Sequence, residues 1–302
     1  MKEPCLRRDG LLVLDKPVGL SSTQALGQAK HRLRACKGGH TGTLDPLATG
    51  VLVLCFGEAT KAASFLFESD KCYRVTVTLG VTTSTFDAEG EVVARQAVAA
   101  SDGDIREALV RFTGDIEQIP PRFSAIKQAG VPFYERARRG DMALPPSRSV
   151  RVHAIELLDR VGNDVTLQID CGKGVYIRSL AHDLGVVLGC GAHVKALRRM
   201  AVGRFTIEQA VPLAEVSPDT RLVESDAALT ALPAVVLPSF LARSARRGQA
   251  VFIGGRSHEG WARLYDDEGA FLGIGWSDLG GEIRPKRLWG LGSHVEPVGA
   301  AG

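Results

Sequence analysis

Nowhere in this 302-residue chain do apolar side chains run on for the roughly 18 positions that a bilayer-crossing helix needs, so no membrane role is expected. The opening "MKEPCLRRDG" has no apolar segment after its charges, which makes the cytoplasm the simplest expected location. Cysteine is sparse. The six (Cys5, Cys36, Cys55, Cys72, Cys171 and Cys190) form no CxxC pair and no ligand-like cluster, and His40 has no second His or Cys at ligand spacing. Zinc patterns therefore fail, and free thiols in a reducing compartment, no metal and no cofactor are expected. A P-loop and a GxGxxG dinucleotide loop are absent as well, so nucleotide-cofactor chemistry has no visible seat.

A strong excess of one charge is also lacking. Lys and Arg number 37 against 34 Asp and Glu, a net charge of +3, which alone argues for no particular partner. Distribution says more. Basic residues gather at Lys30–Lys37 with His40, at Arg136, Arg138 and Arg139, at Arg198, Arg199 and Arg204, and at Arg284, Lys286 and Arg287. Such patches read either as solvated faces or as the footprint of an acidic partner such as RNA.

What is present is an ordinary globular composition, 45% hydrophobic and 24% charged, with length for one large domain and a smaller companion. Residues 11–15 read as a strand, Ser21 or Ser22 as the cap of a helix ending in basic residues, and "GVLVLCFG" as a buried strand leading to a helix near Ala59. Tyr73, Val75, Val77 and Leu79 alternate on one strand face. "DGDIREALVRFTGDIEQIPP" reads as a helix followed by a proline-ended connection. Residues 122–146 are irregular, an excursion from the core. "SVRVHAIELLDRV" and "NDVTLQIDC" read as strands, "GVYI" as a short strand before a helix from Ile177, and "CGAHVKALRRMAVGRF" as a short helix, a turn and a strand. "ARSARRG" looks like a hinge. Short Gly-punctuated strands follow a boundary expected near residue 240.

The most constrained stretch is "GGHTGTLDPLATG". It surrounds the single carboxylate of Asp45 with glycines and a following proline that restricts it. An aspartate so held serves as nucleophile, general base, metal ligand or the anchor of an Asx turn, and spacing alone leaves these open. A glycosidase-like pair would need a second carboxylate from elsewhere in space, Asp87 or Asp170.

Five segments in order, "LDKPVGLSS", "GHTGTLDPLATG", "SDKCYRVTVTLG", "FSAIKQAGVPFYERARRG" and "CGKGVYIRSLAHDLG…CGAHVKALRR", resemble the bacterial tRNA pseudouridine synthase B (TruB) family over residues 11–207. The C-terminal strands are similar to the family's PUA-like RNA-binding barrel. The resemblance implies an α+β fold: a mixed, largely antiparallel sheet with flanking helices in residues 1–240, a thumb-like RNA-binding insert at 122–146, and a small β barrel in 241–302. It implies a metal-free and cofactor-free isomerase, a monomer, that flips uridine 55 out of the tRNA T loop and converts it to pseudouridine. Asp45, Tyr73 and Arg178 then match the family's catalytic aspartate, aromatic and arginine. His40 matches a histidine placed against the T loop. Lys16 with Pro17 matches a motif supporting the catalytic loop, Lys16 being counted also among substrate-binding groups with Tyr176, Lys127, Arg136 and Arg138. Met200 falls where relatives carry a leucine against the flipped base, and Ser84 where they carry an aspartate. The barrel's Arg284, Lys286 and Arg287 are expected to reach the acceptor stem.

That chemistry suits these residue types. The N1 glycosidic bond must break, the uracil must turn while held, and C5 must join C1′, with no redox change. One carboxylate can serve, by attack on C1′ or by removal of the 2′ proton. An arginine fork orients it and favours its ionised form. An RNA-binding chaperone and a hydrolase using Asp45 remain as rival readings.

Overall fold

In the computed structural model, residues 5–124, 126–128, 130–141, 143–254 and 258–290 are described. The first strand, β1 (Gly10–Lys16), precedes α1 (Ser22–Arg32), β2 (Gly38–His40) and β3 (Thr49–Phe56). After a 3-10 turn and α2 (Ala63–Phe67) come β4 (Lys71–Leu79), the hairpin β5 (Val81–Thr83) and β6 (Val92–Arg95), α3 (Asp102–Val110) and β7 (Gly114–Gln118). The insert holds β8 (Lys127–Gln128), β9 (Val131–Pro132) and α4 (Phe133–Arg138). Then follow β10 (Arg148–Val161), β11 (Asp164–Cys171), α5 (Ile177–Val187), β12 (Ala192–Val202), β13 (Phe205–Thr206) and β14 (Val211–Pro212). The rest is β15 (Ala234–Leu237), α6 (Ser239–Arg246), β16 (Val251–Phe252), β17 (Gly260–Asp266), β18 (Phe271–Ser277) and β19 (Glu282–Leu288).

Ten strands make one sheet in the order β14-β1-β3-β12-β4-β11-β10-β7, with β2 on β3 and β13 on β12. Its pairings are antiparallel except β1 with β14 and β3 with β12, the mixed and largely antiparallel sheet that was expected. Local chemistry explains its pieces. Ser21 closes a capping box with Gln24, and Lys30, His31 and Arg32 sit in the last turn, where the helix dipole favours cations. The alternation on β4 buries Tyr73, Val75, Val77 and Leu79 as its period of two requires. β12 lies between β3 and β4, at the middle of the sheet, and its contact with β3 is only two residue pairs long.

Several expectations are corrected. The helix read at "VKALRR" is the long strand β12. Register shifts between Val194 and Ala196 and between Arg199 and Ala201 break its alternation, so the sequence loses its period of two while both strand edges are paired. "GVYI" forms no strand: Tyr176 is the N-cap of α5, braced by the Gln118 amide, which donates to its carbonyl (3.0 Å) and accepts from its N–H (2.7 Å). A 3-10 turn over Gly57–Ala62 replaces the start of the helix expected near Ala59. Cys5 and Cys36 form a disulfide, leaving Cys55, Cys72, Cys171 and Cys190 as the free thiols. "ARSARRG" supplies the last residues of α6 and its C-terminal cap, and Ala242 and Ala245 pack into the second core.

That second core lies under a five-stranded sheet, β15-β17-β18-β19-β16, a curled half-barrel with α6 on it. It recruits β15, ahead of residue 240. The two units touch through Ala62, Leu229, Ile274 and Trp289, and Arg287 donates to the Lys61 carbonyl and Ser64 Oγ. No helix among the described residues is long and apolar enough to cross a membrane.

Candidate active site

Asp45 is held by clamps on either side of its own loop. Ser22 Oγ accepts the Leu44 N–H at 2.7 Å and donates to its carbonyl at 3.0 Å, and Gly19 N–H donates to the Pro46 carbonyl at 2.8 Å. Lys16 is wholly buried, and its Nζ donates to the carbonyls of Leu20 (2.6 Å), Pro17 (2.9 Å) and Pro46 (3.5 Å). Burial lowers its pKa to about 8, with Asp45 pulling the other way. Its ammonium is spent on backbone carbonyls and fastens the 17–20 turn to the Asp45 loop, the supporting role expected of the Lys16–Pro17 motif.

The Asp45 carboxylate faces Arg178 at 3.0 Å. The main-chain carbonyl of Asp45 accepts the Ala48 N–H, closing an i→i+3 turn at the loop. Arg178 projects from the first turn of α5 and is itself buried. Its other Nη meets Asp87 at 3.3 Å, and it donates to the carbonyls of Thr85 (3.3 Å) and Phe123 (3.0 Å). One guanidinium thus joins two carboxylates of different exposure: the Asp45 side chain keeps 36% of its surface open, that of Asp87 4%. Burial lifts the Asp45 carboxyl above the ordinary carboxylate range; Arg178 opposes that rise and Asp87 adds to it.

Asp45 and Arg178 line a cavity of about 310 Å³ whose walls include Tyr73, Ser124, Tyr176, Leu197 and Arg199. Tyr73 comes from β4 directly opposite Arg199 on β12, and Arg199 neighbours its hydroxyl. Burial keeps that phenol above its usual pKa, with Arg199 pulling it down. The Arg199 guanidinium donates from Nε to the Val51 carbonyl (2.7 Å) and leans on the carbonyls of Gly42 and Thr43 (3.4 and 3.5 Å). This approach requires glycine at 50, where a Cβ would stand 2.2 Å from the Arg199 carbonyl and φ is +97°. Tyr176 packs against the Arg148 guanidinium at 4.8 Å. At His40, which pairs with Leu54 at the end of β2, burial lowers the pKa and Arg199 lowers it further.

The structure so brings Asp45, Tyr73, Tyr176 and Arg178 together around one cavity, with His40 near Arg199 behind its glycine loop. Met200 does not line it. Leu197 does; the register shift after Arg199 leaves Met200 half-buried, outside the cavity wall. Arg136, on α4, pairs with Asp141 and lies over the Phe133 ring. The side chains of Lys127 and Arg138 lie outside the described residues. Arg199, Leu197 and Asp87 were missed as site residues, the first two because their strand was taken for a helix. Neither Asp87 nor Asp170 is among the residues lining the cavity, where a glycosidase-like pair would need its second carboxylate. Ser84, the other departure, accepts the Glu91 N–H and closes the loop that carries Asp87. Among the described residues no three His, Cys, Asp or Glu side chains gather as a metal site.

Residues 30–177 match the family model described as TruB family pseudouridylate synthase (N terminal domain). Residues 178–239 match the tRNA pseudouridylate synthase B C-terminal domain, and 233–289 match Pseudouridine synthase II TruB, C-terminal. The chain is 46% identical over 289 residues to the tRNA pseudouridine synthase B of Pseudomonas aeruginosa (strain UCBPP-PA14), covering 92% of this chain and 95% of the relative. To that of Methylobacillus flagellatus it is 44% identical over 286 residues, with 93% and 95% covered. Among solved structures it resembles a chain of an H/ACA RNP bound to a substrate RNA containing 2′-deoxyuridine (TM-score 0.71, 22% identity, 92% of this chain and 84% of that one). A Cbf5-Nop10-Gar1 complex gives a TM-score of 0.71 at 24% identity with the same coverage. These likenesses carry the pseudouridine-synthase fold with its PUA-like C-terminal unit, and the sequence identities carry more: the chain belongs to the TruB family of pseudouridylate synthases.

Proposed function

We propose that this chain isomerises uridine 55 in the T loop of tRNA to pseudouridine, acting alone as a monomer in the cytoplasm without metal or cofactor. The observation that carries the reading is the Asp45–Arg178 pair at the wall of a nucleotide-sized cavity, in a chain whose relatives bear the name tRNA pseudouridine synthase B. A T-loop uridine is stacked in folded tRNA and must be extruded to react. The flipped uracil lies against the Tyr73 ring with Leu197 beside it, and Tyr176 bounds the same space. Ionised Asp45 either attacks C1′ or takes the 2′ proton. In both routes the N1 bond breaks, the uracil turns in place, C5 joins C1′ as the Asp45 ester is displaced or the 2′ proton returns to C2′, and the uracil ends with a proton lost from C5 and one gained at N1. Arg178 holds the carboxylate in position and ionised against the burial that would protonate it.

The 122–146 insert closes over the T stem-loop as a thumb, with Lys127, Arg136 and Arg138 toward the RNA, and His40 fills space vacated by the flipped nucleotide. The C-terminal unit reaches toward the acceptor arm. Of the three basic residues expected to reach it, Arg287 is engaged by the catalytic unit and Arg284 by Glu282, leaving Lys286 as the candidate contact. Phosphate contacts make the binding salt-sensitive.

The test is site-resolved pseudouridine mapping on an unmodified tRNA transcript with chelator present. Pseudouridine at position 55 with the wild type, and a rate lower by at least about 10²-fold with Asp45→Asn, is the expected result. Tight tRNA binding without conversion by the wild type would replace the enzyme by an RNA-binding protein.

A further inference from the structure

α5 presents two side chains to one loop. Arg178 and His182 are four residues apart, so they lie one above the other on a helix face. Arg178 grips the 84–91 loop through the Thr85 carbonyl and the Asp87 carboxylate. Between those two attachment points sits Phe86, and His182 stacks on it with ring centroids 3.9 Å apart and planes 11° from parallel.

Phe86 is unusual in its backbone. Its φ is +64°, the left-handed region that a bulky L side chain disfavours. That conformation has a local purpose. It reverses the chain so that the group before it (Thr85 C=O) and the group after it (Asp87) converge on the same guanidinium. β12 supports the turn from below: Val194 N–H donates to the Phe86 carbonyl (3.0 Å) and the Val194 carbonyl accepts from Ala88 N–H (2.9 Å). Disfavoured backbone at a functional site persists only where its surroundings over-determine it. The ring stack ties the Phe86 side chain to α5. The His182 Nδ1 is buried with no hydrogen-bond partner, so the face of the ring and not its edge makes the described contact.

Resting on the isomerase reading above, we propose that His182 is a positioning residue: its ring holds Phe86 in the left-handed turn that aims Asp87 and the Thr85 carbonyl at Arg178, and through Arg178 sets the Asp45 carboxylate. Burial holds the imidazole below its usual pKa against the pull of Asp183, which suits a neutral, flat ring. What the site requires at 182 is a planar face, and a phenyl ring supplies one.

The test compares His182→Ala, His182→Phe, Phe86→Gly and the Phe86→Gly/His182→Ala double variant. It measures single-turnover pseudouridine formation on tRNA, the tRNA Kd, and hydrogen exchange of the Ala88 and Glu89 amides, which bond to Val194 and Asp87. His182→Ala is expected to slow the chemical step by about tenfold or more with the Kd unchanged, since small misplacements of reacting groups have effects of that size or larger. It also speeds exchange at both amides, and His182→Phe restores both readouts. In the Phe86→Gly background, where glycine takes the turn freely and the stack is gone, removing His182 slows nothing further. The proposal is overturned if His182→Ala matches the wild type, if His182→Phe behaves like His182→Ala, or if the loss persists undiminished in the Phe86→Gly background. A wild type that makes no pseudouridine would sink the functional reading alone, because the exchange comparison still decides whether His182 holds the loop. Should His182→Ala fail to fold, His182→Phe and Phe86→Gly carry the same comparison.

Discussion

Asp45 and Asp87 divide one guanidinium, and the division has a measurable sign. Asp87 contributes negative charge that raises the Asp45 pKa, while Arg178 lowers it. If, as proposed, the reaction needs ionised Asp45, the rate is expected to rise with pH through a value above the ordinary carboxylate range and then level. Asp87→Asn removes a repelling charge and shifts that acid limb to lower pH; by loosening Arg178 it also lowers the plateau rate, by about 10²-fold. Arg178→Gln removes the attracting charge and shifts the limb upward. A pH–rate profile under single-turnover conditions reads both, and limbs that coincide with the wild type would show that the cluster is not electrostatically linked. At this scale the sequence was informative where a motif surrounds the residue. Asp45, Tyr73 and Arg178 could be named because each sits in a distinctive local string. Asp87 could only be noted as present, because its partner lies 91 positions away in the chain (178 − 87 = 91) and no local pattern joins them. The Cys5–Cys36 bond was invisible for the same reason.

Among the elements, β12 decides how much of the site can be read in advance. β1, β4, β10 and β11 were legible because their apolar residues alternate or run together. β12 was not, since two register shifts disrupt its period and "VKALRR" is composed of good helix formers. With the strand unrecognised, the facing of Leu197, Arg199 and Met200 was beyond reach. The same strand yields a stability prediction. It meets β3 at two residue pairs, one of them Arg199 with Gly50, so Gly50→Ala sets a methyl against the Arg199 carbonyl and strains a positive φ. The expected loss is more than about 2 kcal/mol of unfolding free energy, visible in a denaturant titration as a lower midpoint at similar slope. An unchanged midpoint would mean that β3 and β12 can separate without cost.

For the whole molecule, the C-terminal unit meets the catalytic one along a seam of apolar and basic side chains. Arg287 donates to Lys61 and Ser64 and lies 5.8 Å from the Phe65 ring, beside the small apolar seam around Trp289. Arg287→Ala is expected to turn a single thermal transition into two, while isomerisation of an isolated T stem-loop continues at the wild-type rate. Calorimetry with the stem-loop assay checks both halves; a single transition together with lost activity would instead make the second unit part of the catalytic fold.

The order of the strands bears on how such a chain comes off the ribosome. β1, among the first segments made, has β14 as its parallel neighbour, Leu14 against Val211, roughly two hundred residues later, and long separations of this kind slow folding. Arg178, Leu197 and Arg199 also come late, and β12 must slot between strands synthesised long before it. The nascent N-terminal half therefore carries its aspartate loop on a sheet whose middle strand is still missing, with apolar edges open to wrong partners. Competence arrives nearly all at once, when the segment through β14 has emerged.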